Sequence, residues 1–489
     1  MKIDRRTFLA NSGAVVLAGA LPGKFSRPSS KPSATTVARA LSKLNRGRVL
    51  GPGDNGFLAA AHVYNERFDY IRPDAVVFAH GPDDIQATIA YAVGHGIPLR
   101  ARSGGHSYAG YSTVAGGIVL DLHNLRSSSV NHGAGTATVG AGAQLIDVYS
   151  GLAAHGATIP AGSCPSVGVS GVTMGGGMGL AGRAYGLTLD NLHSAVITTA
   201  DGQRRTVSAS SDPDLFWGIR GGGGGNFGVV SEFTYKVHRM PSTAGYFFVS
   251  WPWASAAEAL RAWLGWAPHT DDNATSIFHL NSSATVSISG QFLGTDSKLE
   301  QILAPMRNIP GASVYKSRKA YLPLQLEWAG CETISLAACH TVGAANGGSL
   351  PRESFDAKSD YLAKVPSEAA AQSLVDAVVS RSGPGSGAVL FDSYGGKINS
   401  VAPTDTAFAH RDQLCAMQYL SYNGGTDWLN DTWNVMRPHV SGQAYQNYID
   451  HSLSGWRDAY YAGNYSRLAA LQRDVDPHHF FNFPQAIGH

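Results

Sequence analysis

Two nucleophilic side chains in glycine-rich loops are the residues of this chain best suited to chemistry. His106 lies at the centre of the loop RSGGHSYAGYS (102–112), and Cys164 lies near the start of GSCPSVGVSGVTMGGGMGL (162–180). An imidazole nitrogen and a thiolate sulfur can each form a covalent bond with an electrophilic ligand. The neighbouring glycines tolerate positive φ and let backbone N–H groups approach a ligand closely. Such amide-lined concavities favour anions, above all the pyrophosphate of a dinucleotide.

These loops, together with a segment near the C-terminus, resemble those of the berberine bridge enzyme family, in the vanillyl-alcohol oxidase superfamily of PCMH-type FAD-binding proteins. The C-terminal match is the pattern YYAGNYSRL…DP…F…PQAI, which begins at Tyr460. The resemblance is closest to the bacterial aclacinomycin-type and carbohydrate oxidases. It implies FAD as the cofactor, joined covalently to His106 through its 8α position and to Cys164 through C6. Two bonds imply a raised reduction potential and a site that can be wide.

The resemblance implies that residues around both nucleophiles hold the FAD through backbone amides and hydroxyls. Besides His106 and Cys164, the expected cofactor-binding residues are Arg102, Ser103, Gly104, Gly105, Ser107, Gly110, Tyr111, Ser163, Val167, Gly168, Gly171, Gly175, Gly176, Gly177, Gly225, Asn226, Phe227, Gly228, Val230 and Asn482. None of these loops is a Rossmann fingerprint, because no GxGxxG opens a helix after the first strand. A flexible turn at 221–225 and a buried, hydrogen-bonded His106 are the structural alternatives.

A candidate base must reach the substrate hydroxyl and have a suitable pKa. By resemblance to the carbohydrate oxidases, Tyr448 in QNYID lies over the flavin and Asp392 in LFDSYGG lies beside it. The pKa of a tyrosine, near 10, must then be lowered, and a hydrogen bond to Asp392 would hold Tyr448 as the base while its proton leaves. Tyr394 or Tyr445 can supply a second tyrosine. Gln418 stands where berberine bridge enzyme has a glutamate, and because glutamine is no base, alkaloid ring closure is disfavoured.

The structural alternatives for the two main candidates are a core tyrosine at 448 and a turn residue at 392. The resemblance implies an oxidase that passes a hydride from a hydroxyl-bearing carbon of a sugar or glycosylated natural product to flavin N5. O2 then reoxidises the flavin and yields H2O2. Val167 matches the family's oxygen gatekeeper, where valine is typical of oxidases. The alternatives are a dehydrogenase, a natural-product C–C or C=C oxidase, and a non-enzymatic flavin- or carbohydrate-binding protein.

Composition indicates a packed globular enzyme and not a nucleic-acid-binding or membrane protein. The chain has 489 residues, of which 44% are hydrophobic and 15% charged, and its net charge is +2. This length suits about two or three domains with developed cores. A near-neutral charge gives no basic field for nucleic acid or an anionic membrane. We therefore expect a small-molecule substrate and O2 as partners, and a monomer or homodimer.

The pattern of strands and helices predicts an α+β protein in three parts. Residues 70–240 alternate strand and helix, as expected for a two-subdomain PCMH-type FAD-binding domain. Residues 241–444 read as a substrate domain, an antiparallel sheet flanked by helices that roofs the flavin. Residues 445–489 carry the family's C-terminal segment, which packs back on the FAD domain. In it, one amphipathic helix is predicted from Arg457 to Arg473.

The N-terminus reads as an export signal. Arg5-Arg6-Thr7-Phe8-Leu9 precedes a 12-residue apolar stretch, Ala10 to Leu21, which is too short to span a bilayer. The pattern resembles a bacterial twin-arginine signal, with a disordered tail as the alternative. We expect residues 1–36 to be signal and flexible linker, and the mature protein to be secreted or periplasmic, with no membrane association after export.

The four cysteines show no zinc spacing, and no metal is expected. Cys331 and Cys339 can form a disulfide in an exported protein or remain buried thiols, and the sequence does not decide between these. Cys415 is predicted to be a core residue.

Overall fold

The computed structural model of the protein describes residues 31–343 and 348–489. Mixed helices and sheets in this part confirm the predicted α+β class. The twin-arginine segment lies outside the described residues. Within the described ranges, no helix is long and apolar enough to cross a membrane.

The first part of the chain builds two small sheets from short strands. Its helices are α1 (Ala34–Leu44), α2 (Phe57–Ala61), α3 (Pro82–His95), α4 (Leu145–Ala153), α5 (Val169–Gly175), α6 (Gly182–Tyr185) and α7 (Pro213–Gly218). Its strands are β1 (Val49–Leu50), β2 (Ala75–Phe78), β3 (Leu99–Arg102), β4 (Ile118–Asp121), β5 (Ser128–Asn131), β6 (Thr136–Gly140), β7 (Ala157–Thr158), β8 (Leu192–Thr198), β9 (Arg204–Ser208), β10 (Val229–Lys236) and β11 (His238–Arg239). One sheet has the order β1-β2-β4-β3, with β2, β4 and β3 parallel. The other, β5-β6-β10-β8-β9, is antiparallel.

Helix α3 joins these two sheets. It begins with Pro82 in its first turn, has Asp83 and Asp84 there to complement the helix dipole, and ends at Gly96 in the left-handed conformation. The helix contacts β4 of one sheet and both β8 and β10 of the other. Its buried Ile85 therefore belongs to a core shared by the two sheets. Strand β3 follows α3, and the His106 loop begins at the carboxyl end of that strand.

The prediction of a flexible linker up to residue 36 is wrong for the last residues of that range. Helix α1 begins at Ala34, because the Ser33 side chain accepts a hydrogen bond from the Thr36 N–H and caps it. Val37 and Leu41 are fully buried in the core under β2. Ordered structure therefore precedes residue 70, and the segment from α1 onwards packs with the FAD-binding part.

The middle part is a seven-stranded antiparallel sheet with helices packed on one face. Its strands are β12 (Thr243–Trp251), β13 (Ala274–Asn281), β14 (Thr285–Phe292), β15 (Ser313–Ala320), β16 (Phe355–Leu362), β17 (Ser386–Ser393) and β18 (Cys415–Tyr422). Their order is β15-β12-β14-β13-β17-β18-β16. Its helices are α8 (Ala256–Trp266), α9 (Asp296–Ile302), α10 (Ala304–Arg307), α11 (Tyr321–Trp328), α12 (Glu368–Val379), α13 (Gly396–Asn399) and α14 (Thr426–Met436). Helices α8, α12 and α14 cover a separate apolar core that includes Trp263 and Phe391.

The single C-terminal helix predicted from Arg457 to Arg473 is wrong. Two helices, α15 (Trp456–Tyr461) and α16 (Tyr465–Val475), are separated by a 3₁₀ turn that starts at Ala462, whose φ of 45° interrupts helical geometry. The segment packs back on the first part of the chain. The Ile487 N–H donates to Asn226 Oδ1 at 2.9 Å, and Arg467 pairs with Asp214 at 2.7 Å.

The cysteine question left open by the sequence is answered by the fold. Cys331 and Cys339 form a disulfide, and Cys415 is a fully buried core residue of the seven-stranded sheet. The disulfide loop packs on Ile146 at the start of α4. His340, which follows the loop, lies with its Nε2 3.1 Å from Asp147 Oδ1 on the same helix.

Candidate active site

One large cavity lies between the glycine-rich loops and the seven-stranded sheet, with a volume of about 410 Å³. Both nucleophiles, His106 and Cys164, line it. So do residues of β13, β17 and β18 and the segment 445–449. The other expected residues on its wall are Ser103, Gly104, Gly105, Ser107, Tyr111, Ser163, Val167, Gly168, Gly171, Gly225, Gly228, Val230, Asp392, Gln418, Tyr445 and Tyr448. The structure thus brings most of the residues singled out in the sequence to one place.

The backbones of the two glycine-rich loops, 102–112 and 162–180, are in direct contact. A Cβ added to Gly104 would lie 2.2 Å from the Gly168 nitrogen, and one added to Gly168 would lie 2.1 Å from the Gly104 nitrogen. No side chain fits at either position without moving the opposite backbone. These two glycines are therefore required for the loop contact that places His106 and Cys164 on one cavity.

His106 is held in a fixed orientation. Its ring stacks on Tyr64, with centroids 3.8 Å apart and planes 19° apart, and its Nε2 lies 2.9 Å from Ser166 Oγ. Burial lowers the pKa of the imidazole to about 3, so the ring is neutral. If Nε2 carries the proton and donates to Ser166, Nδ1 keeps the lone pair of a nucleophile.

Cys164 opens onto the cavity as a free thiol. Its enclosure by protein raises the pKa of the thiol. Hydrogen bonds to the sulfur from the Ser166 hydroxyl and from the N–H groups of Ser166 and Val167 oppose that rise. These groups favour the thiolate form, but burial outweighs them. Ser166, 1% exposed, contacts both nucleophiles.

The cavity has the donors and the space that a dinucleotide flavin requires. Among the described residues, the N–H groups of 103–107 find no protein acceptor, although Tyr64 N–H binds the Gly105 carbonyl. The buried oxygens Tyr111 Oη, Thr275 Oγ1 and Gln446 Oε1 also lack a protein partner, and each residue lines the cavity. A Cβ added to Gly171 would meet nothing within 4 Å. These residues fit the expected FAD, which would supply a hydride acceptor when bound.

One face of the sheet contributes the polar groups at the roof. Asp392 of β17 lies between Ile277 of β13 and Ala416 of β18, and Gln418 lies two residues further along β18. Because side chains alternate along a strand, Asp392 and Leu390 share the cavity face. Thr275, Asp392 and Gln418 are the polar side chains by which β13, β17 and β18 line the cavity, apart from Ser393 at the end of β17.

Tyr448 and Asp392 lie together on the cavity wall, and the Tyr448 hydroxyl stabilises the Asp392 carboxylate as a hydrogen-bond donor would. Burial raises the pKa of Asp392 to about 7, against the opposing effect of that hydrogen bond. The pKa of Tyr448 is also raised, first by burial and then by the charge of Asp392. The lowered tyrosine pKa expected from the sequence is therefore not found. Tyr448 can act as a base only while its own proton moves to Asp392.

Gln418 has a structural task that its sequence position does not reveal. Its Nε2 donates to the Tyr108 hydroxyl at 2.6 Å. The Tyr108 ring lies against the Tyr448 ring on one side and meets Phe355 edge-on at 4.9 Å. Gln418 thus orients a neutral aromatic wall next to Tyr448, in keeping with its exclusion as a base.

The two alternative tyrosines differ in position. The Tyr445 hydroxyl lines the cavity and accepts hydrogen bonds from the Gly177 N–H at 2.8 Å and Asn447 Nδ2 at 2.9 Å. Even so, burial raises its pKa to about 12. Tyr394 does not line the cavity, because its hydroxyl points to Met178 Sδ at 3.3 Å and to the Tyr361 hydroxyl at 3.0 Å. Tyr394 is therefore not placed to take a substrate proton.

Several expected cofactor residues do not line the cavity, and each has another task. The Arg102 guanidinium binds Asp121 and the carbonyls of Ala60 and His62. A Cβ on Gly110 would lie 2.7 Å from the Phe68 ring. The remaining residues in this group are Gly175, Gly176 and Gly177, which let the segment 445–447 and Thr188 approach, the buried Asn226 and Phe227, and the exposed Asn482.

Other residues at the site were not anticipated. Tyr108, Met178 and Phe483 line the cavity, and Tyr64 and Ser166 hold His106. Tyr108 lies two residues after the histidine in the same loop, which is a signal that the sequence offers. Tyr64 and Ser166 come from other parts of the chain, so only the packing of the loops reveals them.

A cavity between glycine-rich loops and an antiparallel sheet, with two nucleophiles and a tyrosine–carboxylate pair on its wall, is the arrangement expected of an FAD-linked oxidoreductase. Residues 73–208 match the FAD binding domain family, and residues 444–488 match the family described as berberine and berberine like. The chain belongs to the berberine bridge enzyme-like family of FAD-dependent oxidases.

Individual relatives cover almost the whole chain. An uncharacterized FAD-linked oxidoreductase of Bacillus subtilis (strain 168), YgaK, is 33% identical over 458 residues, which cover 90% of this chain and 96% of that protein. The structure of Physcomitrella patens BBE-like 1 has a TM-score of 0.86 at 30% identity, covering 92% of this chain and 98% of that one. The carbohydrate oxidase from Microdochium nivale, solved with a substrate analogue, has a TM-score of 0.84 at 26% identity, covering 92% and 99%.

Proposed function

We propose that this protein is an exported oxidase that holds FAD through His106 and Cys164 and oxidises a hydroxyl of a sugar or glycosylated natural product. The substrate carbon passes a hydride to the flavin, and O2 is reduced to H2O2. The observation that carries the proposal is that Tyr448 and Asp392 lie on the wall of the same cavity as both nucleophiles and act on each other there.

Proton removal is divided between the two residues. Tyr448 is neutral because its pKa is raised, and Asp392 is the carboxylate that acts on it. When a substrate hydroxyl approaches Tyr448, its proton moves to the phenol oxygen as the phenol proton moves to the Asp392 carboxylate. A general base of this kind typically contributes about 10²–10⁴-fold. The relay avoids a free tyrosinate in an enclosed site, which burial disfavours.

The cavity suits a substrate with both polar and apolar parts. Polar groups converge at Asp392, Gln418 and Tyr448, whereas Met178 and Ile277 provide apolar wall. A few placed polar groups in a largely apolar pocket are typical of small-molecule sites. The similarity to a carbohydrate oxidase supports a sugar hydroxyl as the reacting group.

A peroxide-coupled panel of mono- and oligosaccharides and aryl glycosides tests the substrate class, with Tyr448→Phe as the matched inactive protein. We expect peroxide with at least one carbohydrate, at a rate that falls by about 10²-fold or more in the variant. Peroxide formation from non-glycosidic alcohols alone would reject the sugar proposal and favour a natural-product oxidase of the same fold.

Acid precipitation tests the covalent bonds. Wild-type protein should keep its yellow colour in the pellet, and His106→Ala or Cys164→Ala alone should keep one bond. The double variant should release its flavin. Complete release from the wild type would reject both bonds.

Export is a separate proposal that rests on Arg5 and Arg6. Replacing both arginines by lysine should leave the protein in the cytoplasm with its flavin bound, if the twin-arginine route carries it. Unchanged export of this variant would reject the twin-arginine assignment.

A further inference from the structure

The two proposed tether residues are connected by a single buried side chain. Ser166 follows Cys164 by two positions, and its Oγ lies 2.9 Å from His106 Nε2 across the contact between the loops. Ser166 is only 1% exposed. We propose that Ser166 positions both nucleophiles for flavin attachment, by accepting the Nε2 proton of His106 and donating its own hydroxyl proton to Cys164 Sγ.

A serine hydroxyl is able to take both roles at the same time. A hydroxyl donates one hydrogen bond and accepts two, so one Ser166 can serve both neighbours at once. With Nε2–H bound to Ser166, the lone pair of His106 is on Nδ1, and stacking on Tyr64 prevents the ring from turning. Ser166 lies two residues after Cys164, and its hydroxyl lowers the pKa of the Cys164 thiol, as a hydrogen bond to the sulfur would.

The position of Ser166 is set by the loop contact. A Cβ on Gly104 would lie 2.5 Å from the Ser166 carbonyl oxygen, so the His106 loop runs directly against this residue. The Cys164 loop is anchored in turn by α4, because Ile146 N–H donates to the Pro165 carbonyl at 3.1 Å and Leu145 N–H to the Val167 carbonyl at 2.9 Å. Ser166 therefore lies between two restrained backbones.

The inference rests on the proposed covalent binding of FAD and concerns the chemistry of attachment. Each attachment replaces one C–H bond of the flavin and one N–H or S–H bond of the protein by a C–N or C–S bond. The two electrons and two protons released reduce one O2 to H2O2. For His106 the new bond forms at Nδ1, and the proton lost is the one on Nε2, which leaves through the hydrogen bond to Ser166 to the solvent, so that the serine hydroxyl is neutral before and after. For Cys164 the thiol proton leaves to the cavity, and Ser166 stabilises the thiolate.

Other charged and titratable groups also act on the sulfur. Glu353 raises the pKa of the Cys164 thiol by its negative charge, and Tyr64, Tyr108 and Tyr422 interact with it from neighbouring elements. These groups are unchanged when Ser166 is replaced. Loss of the Ser166 hydroxyl should therefore shift thiolate formation to higher pH without altering the rest of the surroundings.

The test is peptide mass spectrometry of purified protein, which measures the flavin-bearing fraction at His106 and at Cys164 separately. Ser166→Ala should lower both fractions, and its attachment rate with added FAD in air should fall about tenfold or more, since hydrogen bonds to charged groups are lost. Higher pH should restore the Cys164 bond in this variant. Ser166→Thr keeps the hydroxyl and should attach both bonds. Ser150→Ala, which removes a hydroxyl bonded only within α4, is the control and should match the wild type.

Each result has a distinct meaning. If Ser166→Ala carries both bonds as fast as the wild type, or loses only one of them at every pH, the shared role is overturned. If the wild type carries flavin at neither residue, the covalent part of the proposed function fails first. Thermal unfolding and non-covalent FAD content establish that each variant folds. If Ser166→Ala does not fold, Ser166→Cys replaces it. Its thiol has a similar size but forms only weak hydrogen bonds, so the same loss of attachment at both residues is expected.

Discussion

The Tyr108 ring stacks on the Tyr448 ring, with centroids 5.4 Å apart and planes 10° apart. Tyr108 lies in the loop that carries His106, and Tyr448 lies in the C-terminal segment. The loop proposed to hold the flavin thus also packs on the residue proposed to take the substrate proton. Cofactor and base therefore share one rigid support, which is how a reacting geometry is kept within narrow limits.

Replacement of the base should separate catalysis from cofactor binding. Tyr448→Phe keeps the ring stack on Tyr108 but removes the hydroxyl, so anaerobic flavin reduction should slow by about 10²–10⁴-fold with the flavin retained. Asp392→Asn should slow it as well, because an amide does not accept the phenol proton as readily. Tyr394→Phe is the control, since Tyr394 does not line the cavity and its hydroxyl is occupied by Met178 and Tyr361. Reduction of Tyr448→Phe at the wild-type rate would move the base elsewhere, with Tyr445 as the next candidate.

The relay predicts a particular pH dependence. The pKa of Asp392 is about 7, and only the ionised carboxylate can accept the proton of Tyr448. The rate of flavin reduction should therefore rise with pH, by about tenfold per unit below 7, and level off above it. Stopped-flow absorbance without oxygen measures this profile. A rate that falls as the pH rises through 7 would contradict the assignment of Asp392 as proton acceptor.

The size of residue 167 should control oxygen access. Val167 lines the cavity, and its backbone is fixed by the Leu145 N–H and the turn from Cys164. One added methylene in a packed site is enough to close a small gap. Val167→Leu should therefore slow reoxidation by air, while Val167→Ala should not. Anaerobic reduction should be unchanged in both, and an equal slowing of both half-reactions would indicate general distortion instead.

A buried ion pair holds the segment that follows Tyr448 against the seven-stranded sheet. Lys358 Nζ of β16 lies 2.7 Å from Asp450 Oδ2, and the two side chains are 8% and 6% exposed. Lys358→Met leaves the Asp450 charge buried and unpaired, which typically costs about 3–5 kcal/mol. Denaturant unfolding should show this loss, and Asp450→Asn added to it should recover part. A change below about 1 kcal/mol would mean that Ser452, which also bonds Asp450, suffices alone.

The two glycine-rich loops could be recognised in the sequence because each is a short local motif. The glycines cluster within a few residues of His106 and of Cys164, and the strand β17 that carries Asp392 contains the apolar run AVLF just before it. By contrast, β16 was not foreseen, because its buried Lys358 and Asp360 give it the polar texture of a loop. Pairing with Asp450 and Arg437 across elements makes those charges tolerable, and no single stretch of sequence contains that information.

The same distinction explains the errors at the site. Gly175 has the appearance of a phosphate loop, yet a Cβ there would lie 2.0 Å from Asn447 Oδ1, so it serves the approach of the C-terminal segment. Arg102 is the last residue of β3, beside Asp121, and its guanidinium is occupied by the ion pair with that carboxylate. Ser166 meets His106 from 60 residues away, a contact that depends on two loops folding against each other.

The most direct test of the central claim is double-mixing stopped-flow with the best carbohydrate from the panel. In the first mix, without oxygen, the account predicts loss of the oxidised flavin absorbance at a rate that depends on Tyr448 and Asp392. In the second mix, O2 should restore that absorbance rapidly, with one H2O2 formed per flavin. Flavin that dithionite reduces but no carbohydrate does would contradict the proposed substrate class. Flavin that a carbohydrate reduces but O2 does not rapidly reoxidise would contradict the oxidase and identify a dehydrogenase.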